Sequence, residues 1–437
     1  MKNTVKTAFA LALLALSAVS FSDAASINST VTTATLDNGL KVIVQEDHSV
    51  DLVAVDVWVR AGSRYETAET NGVSHFIEHL LFKATDKRSH GQVDMEIESL
   101  GASLEARTSR DWAHFYTVVA QRYLEQSLDV LADVVANPKF HPADIEHERN
   151  VILDEIARQD SNPMLTLRDQ VFKSAFTTHP YGLPVQGTRD SVKKITREMI
   201  VSQYNRLYVP ENITVILVGD ISPVTGVTAV KKAFGAMEKK SFQPVEMPKE
   251  PEKKEQTRKV VKANTKLSYL AVAFPAPSIK EQPDVFAMDI LTSYLGTGYQ
   301  SWMAVELRDK QRLAVEVSSE FITHRDPSVT ILVVAAEPGK IDKAEEAIFT
   351  KIEELRTKPI SEGEMLRARR SLEGGYAFDV ETFSGRAATL GFYEAADSFE
   401  FARSYIQNLR KVTTQDIQSA AQKYLDPDKA VVVLLGQ

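Results

Sequence analysis

The stretch "ITREMIVSQYNRLYVPENITVILVGD" (residues 195–220) returns at residues 412–437 as "VTTQDIQSAAQKYLDPDKAVVVLLGQ", without a gap, at an offset of 217. Each copy opens on a threonine suited to cap a helix (Thr196, Thr413) and continues in a helical pattern. Each then turns at Pro210 or Pro427 and ends in a β-branched strand that stops at Gly219 or Gly436. An ungapped 26-residue match closing both halves reads as a duplication. Two domains of similar fold are expected.

The rest of the organisation follows from that pair. Residues 239–259, "KKSFQPVEMPKEPEKKEQTRK", carry Pro244, Pro248 and Pro251 among dense charges, with little to bury. They read as a solvated, extended linker between an N-terminal domain (25–238) and a C-terminal one (260–437). In the first half, Asn38-Gly39 marks a hairpin between "TTATL" and "LKVIVQ". "VAVDVWVR" puts Val53, Val55, Val57 and Val59 on one face of a strand. Helical patterns lie around 70–83, 92–100, 122–136 and 143–159. Hairpins with helices on one side imply an α+β domain built on a mainly antiparallel sheet.

At 437 residues, 43% hydrophobic and 25% charged, the chain has the composition of a globular protein with two cores of about 200 residues each. Residues 1–24 differ. Lys2 and Lys6 precede an apolar run, Ala8 to Phe21, and Ser22-Asp23-Ala24 supplies small residues for cleavage after Ala24. This is the pattern of a secretory signal peptide, too short to span a bilayer, so no membrane anchor is expected after cleavage. Removing Lys2, Lys6 and Asp23, together +1, from a chain of net charge −8 leaves −9, which argues against a nucleic-acid partner. With no cysteine there is neither a disulfide nor a lipid attachment point. A periplasmic or secreted protein is expected.

"NGVSHFIEHLLFKATDKR" (71–88) concentrates chemistry in a short helix. His75 and His79, four residues apart, share a face and can grip one ion; neutral imidazoles suit zinc. Glu78 stands between them in the pattern His-x-x-Glu-His, the inverted zinc-protease signature. Burying three ionisable groups among Leu80, Leu81 and Phe82 is costly unless they have a partner. A catalytic zinc needs a third protein ligand. In "PADIEHERNVILDEIARQ" (142–159), Glu148, Ile152 and Glu155 share a helix face, either as ligands or as an exposed acidic edge.

The arrangement resembles the insulinase or mitochondrial-processing-peptidase family of zinc peptidases, called pitrilysin-like. That family places the second carboxylate of an "E-R-x-V-x-x-x-E" helix about 76 residues after the last histidine; here the helix reads "ERNVILDE" and Glu155 stands 76 residues after His79. "HPYGLPVQGT" (179–188) and "YVPENITVILVGD" (208–220) also match the family's patterns. The resemblance implies two homologous LuxS/MPP-like domains forming a clamp, one zinc held by His75, His79 and Glu155, and Glu148 orienting a ligand. Glu78 would take a proton from water and return it to the leaving amine, as general base and then acid.

The resemblance also implies that the substrate peptide adds to a strand edge in "GASLEARTSRDWAHFYTVV" (101–119), lying along Leu104, Glu105, Ala106, Arg107 and Thr108. The family shows Asn-Ala where this chain has Glu105-Ala106. In the second half, the 217 offset sets Thr292, Leu295 and Gly296 opposite the metal motif, so that half cannot hold the ion. Relatives supply an arginine and a tyrosine from "L-R-x-x-x-G-L-A-Y"; here "LRDKQRLAV" keeps Arg308 but has Val315 for the tyrosine. Either Tyr294 or Tyr299 substitutes, or a companion subunit brings the pair and this chain is the zinc-bearing member of a heterodimer. A non-catalytic peptide-binding protein on the same fold is the rival reading. Such members tend to lose the metal set.

Overall fold

The computed structural model describes residues 30–436; the expected signal peptide lies outside the described residues. The described residues build two sheets. The first contains β1 (Val31–Thr35), β2 (Lys41–Glu46), β3 (Leu52–Val59), β4 (Glu105–Thr108), β5 (Ala113–Ala120) and β6 (Ile213–Gly219), in the order β1-β2-β6-β3-β5-β4. The second contains β7 (Thr257–Lys262), β8 (Ser268–Ala276), β9 (Glu316–Phe321), β10 (Ser328–Ala336) and β11 (Val431–Gly436), in the order β7-β11-β8-β10-β9. Leaving out β1, the two have one connectivity, with β2 to β6 standing where β7 to β11 stand. Among the described residues only the β2–β6 and β7–β11 pairs are parallel, so both sheets are mainly antiparallel.

The repeated stretches take matching conformations. Thr196 caps the Arg197–Leu207 helix by accepting from the Met199 amide, and Thr413 caps Thr414–Tyr424 by accepting from the Asp416 amide. Gly219 and Gly436, at φ +138° and +140°, end β6 and β11. A Cβ at Gly219 would sit 2.2 Å from the Leu52 carbonyl oxygen, so glycine alone fits there.

Val53, Val55, Val57 and Val59 face the first core, with Phe76, Ile77, Leu80 and Leu81 of the helix above them. The expectation of helices on one side only is corrected by the other face. Ile43, Ala54, Trp58, Ile216 and Val218 are buried there under Phe383, Ala387 and Leu390, on the Phe383–Ala396 helix of the second half. Reciprocally, the Pro163–Ala175 helix lays Leu167, Val171 and Phe172 on Ala271, Ala273, Val431 and Val433 of the second sheet. Each half therefore lends a helix to the other, and a single-chain periodicity argument could not see which strands those helices cover.

Charge clips this exchange in place. Glu394 of the lent helix accepts from Lys41 at 2.8 Å and Arg60 at 3.2 Å, and Arg386 pairs with Asp47 at 2.8 Å. At a second point, buried Asp111 accepts from the Tyr181 hydroxyl at 2.7 Å and lies 3.0 Å from His324 Nδ1, while Asp326 takes Arg64 at 2.7 Å. The linker also differs from the extended strap expected. Residues 257–259 belong to β7, Phe242 and Met247 pack against the first core, and the Glu250 carboxylate accepts from the amides of Thr177, Thr178 and His179.

One core carboxyl carries a pH-dependent cost. Asp289, on the Gln282–Gly296 helix, accepts from the Tyr405 hydroxyl at 2.9 Å, and burial pushes it up from 3.8 to about 7. The native state then holds a proton that the unfolded chain has released, so stability falls as pH rises from about 4 through about 7. Asp289→Asn is expected to match the parent near pH 4 and to exceed it by about 2–4 kcal/mol at pH 8. Urea unfolding at the two pH values reads the difference.

Candidate metal centre

The Val73–Leu81 helix buries Val73, Phe76, Ile77, Leu80 and Leu81, which leaves His75, Glu78 and His79 together on the opposite stripe. It starts at Gly72 in the left-handed region, with no side-chain N-cap of the usual kind. Glu66 takes that role from outside the helix: its carboxylate accepts from the Gly72 amide at 2.8 Å, the Ser74 amide at 2.7 Å and Asn71 Nδ2 at 3.0 Å. Facing it, the Pro142–Asp160 helix buries Ile145, Ile152 and Ile156 and turns Glu148 and Glu155 toward the histidines.

Three ligand atoms converge. Glu155 Oε2 lies 3.8 Å from His75 Nε2 and 3.6 Å from His79 Nε2, with the two rings edge-on at 4.7 Å between centroids. Bonds of 2.0–2.1 Å to a tetrahedral ion place ligand atoms about 3.4 Å apart, so the donor set, two imidazoles and a carboxylate, fits zinc in chemistry and spacing. Among the described residues this is the one group of histidine, cysteine and acidic side chains so gathered. Beside them, Glu78 Oε2 is a buried polar atom with no hydrogen-bond partner.

The second carboxylate acts through His79. Glu148 Oε2 lies 2.8 Å from His79 Nδ1 while its Oε1 takes Lys83 Nζ at 2.7 Å. Glu148 thus fixes the ring so that Nε2 faces Glu155. Burial opposes its charge, but His79 and Lys83 outweigh that and hold the carboxyl at about 2. The two histidines are driven apart by their surroundings. Burial, then repulsion from His79, lowers His75 to about 4; His79, against burial, is raised to about 9 by its carboxylates. Glu155 is lowered by the His79 ring beside it, and Glu78 is raised by burial.

The predicted substrate residues are placed as follows. β4 is one of the two edge strands of the first sheet, and it starts at Glu105, so Leu104 lies just before it. Leu104 and Ala106 pack against the core that holds the metal-motif helix; Glu105 and Arg107 point away, exposed. Arg308 pairs with its neighbour Asp309 at 2.7 Å and lies over Tyr299, itself 80% exposed; Val315 is half exposed. Tyr294 is buried with its hydroxyl 3.3 Å from Glu364. None of these four forms a hydrogen bond, ion pair or ring contact with the histidines or Glu155. The burial pattern also adjusts the register between halves: the buried positions of the Val73–Leu81 helix recur at an offset of 214, as Ala287, Met288, Ile290, Leu291, Tyr294 and Leu295. Asp289, Thr292 and Ser293 are therefore the counterparts of His75, Glu78 and His79, and the second half still lacks the metal set.

A family model described as insulinase, peptidase family M16, matches residues 41–189, and one described as the peptidase M16 inactive domain matches residues 194–372. A zinc protease of Mycobacterium tuberculosis is 30% identical over 405 residues, covering 92% of each chain. The chain belongs to peptidase family M16. A probable mitochondrial-processing peptidase β subunit of Arabidopsis thaliana is 30% identical over 380 residues, 82% of this chain and 69% of that protein. The crystal structure of a protease from Helicobacter pylori superposes with a TM-score of 0.89 at 25% identity, covering 94% of this chain and 100% of that one. The M16 relationship supports a zinc peptidase, and the model named inactive begins beyond the donor set, covering the end of the first half and much of the second.

Two residues at this centre escaped the sequence reading. Lys83 sits four residues after His79, a spacing that puts both on one helix face, but its partner Glu148 is distant in sequence. Glu66 precedes the helix by a six-residue loop that hides its capping role.

Proposed function

We propose that this M16 chain is an exported zinc-dependent endopeptidase, periplasmic or secreted, that hydrolyses short or unfolded peptides with one zinc per chain. The observation that carries the reading is the convergence of His75, His79 and Glu155 on one point, with the Glu78 carboxyl buried beside it. His75, His79 and Glu155 would hold the zinc, which when bound acidifies water and polarises a carbonyl. Glu78, held protonatable by burial, takes the proton from the attacking water and passes it to the leaving amine. Glu148 and Lys83 keep His79 in the ligating tautomer, and the β4 edge aligns the peptide main chain. A chelator should abolish cleavage of a quenched peptide, and added zinc should restore it; cleavage untouched by chelation would refute the reading.

The chain is further proposed to work beside a companion M16 subunit carrying an arginine-tyrosine pair. Val315 has no donor for a developing oxyanion, Tyr294 is committed to Glu364, and Tyr299 and Arg308 engage each other. Loss of one such donor costs about a hundredfold or more. Adding the companion should therefore raise kcat by about that factor. Full activity from the single chain would dispose of the companion.

A further inference from the structure

The free edge beside the metal centre carries an unpaired doublet of opposite charges. Glu105 and Arg107 alternate with core-facing Ala106 and Thr108, so both project from the outer face of β4. Both are exposed, and neither side chain forms a hydrogen bond or ion pair in the structure. On the inner side their neighbours are already engaged. Glu105 stands opposite Tyr116 and Arg107 opposite His114, whose ring is stacked on Tyr116 and lies 3.0 Å from buried Asp56. Both charges stand on the face that a strand added to this edge would share.

We propose that Glu105 and Arg107 select peptides bearing an acidic and a basic residue two positions apart, in one order. This rests on the peptidase reading, because it takes the peptide to add antiparallel along β4. A peptide so placed sets one residue opposite Ala106, toward the metal-motif helix, and its two neighbours beside Arg107 and Glu105 on the outer face. Running against β4, it meets Arg107 first, so the matched order from its N-terminus is acidic, any residue, basic. The reversed order sets like charges opposite each other at both places, and cross-strand like charges repel. A charged edge strand can also serve only to deter aggregation. That role is indifferent to the order of charges in a bound peptide.

The test uses two isomeric quenched peptides, Glu-Ala-Lys and Lys-Ala-Glu at the centre of one otherwise neutral sequence. Cleavage is followed with the native chain, and binding by anisotropy with its Glu78→Gln variant. The matched isomer should be favoured about tenfold in both assays, less in high salt, and the Glu105→Lys/Arg107→Glu double variant should favour the other isomer. A reversal is not something a merely structural defect produces. Cleavage of both isomers at equal rates, or a preference that the double variant leaves unreversed, overturns the inference while the peptidase reading stands. Ordered, reversible binding without cleavage leaves the inference standing and defeats the peptidase reading; no binding to either isomer defeats both.

Discussion

Replacing Glu78 with glutamine is expected to lower kcat for peptide hydrolysis by about a thousandfold while zinc content stays near one per chain. The amide keeps the shape and polarity of the buried side chain but cannot accept a proton from water or hand one to an amine. General acid–base catalysis supplies about 10²–10⁴ of an enzyme's rate, and in the proposed mechanism one carboxyl serves both halves of the transfer. The variant should keep its fold, because the helix is anchored elsewhere, by Phe76, Ile77, Leu80 and Leu81 in the core and by Glu66 at its start. Parallel assays of zinc content, thermal unfolding and peptide cleavage separate the possibilities. Equal activity in parent and variant would remove Glu78 from the mechanism; loss of zinc with loss of activity would recast it as a ligand.

Glu155→Gln is the second change of large effect. Its carboxylate is the third corner of the donor triangle, and its side chain is about 30% exposed, so the amide should be tolerated by the fold. A neutral amide is a poor zinc ligand, and two imidazoles alone do not make a stable catalytic site. Zinc affinity should fall by more than the 10–100-fold that loss of an outer partner such as Glu148 costs, and hydrolysis should fall with it. Competition with a chromophoric chelator measures the affinity. Glu148→Gln, by comparison, should weaken zinc within that smaller range and leave measurable activity.

The duplication was legible because it preserved a local pattern: cap, helix, proline turn and strand lie within 26 consecutive residues, and each piece is set by neighbours in sequence. The helix that carries His75 and His79 is legible for the same reason, the two histidines being spaced by one helical turn. What sequence could not show lies between distant segments. Glu148 and Glu155 read equally well as an exposed acidic edge until the second helix was seen to turn both toward the histidines. The lent helices, Pro163–Ala175 and Phe383–Ala396, are ordinary amphipathic patterns whose apolar faces do not declare which sheet they cover. The linker's charges suggested solvation, yet Glu250 finds three backbone amides that no composition argument locates. The counterpart of the metal motif in the second half required burial to set its register, since insertions shift the offset from 217 to 214.

Zinc-edge X-ray absorption on the purified chain, beside its Glu155→Gln variant, tests the centre most directly. The parent should show one zinc per chain with two imidazole nitrogens at about 2.0–2.1 Å and oxygen ligands at about 2.0–2.2 Å. The variant should have lost the ion. A chain that takes up no zinc, or a variant that retains it with an unchanged spectrum, would contradict the assignment.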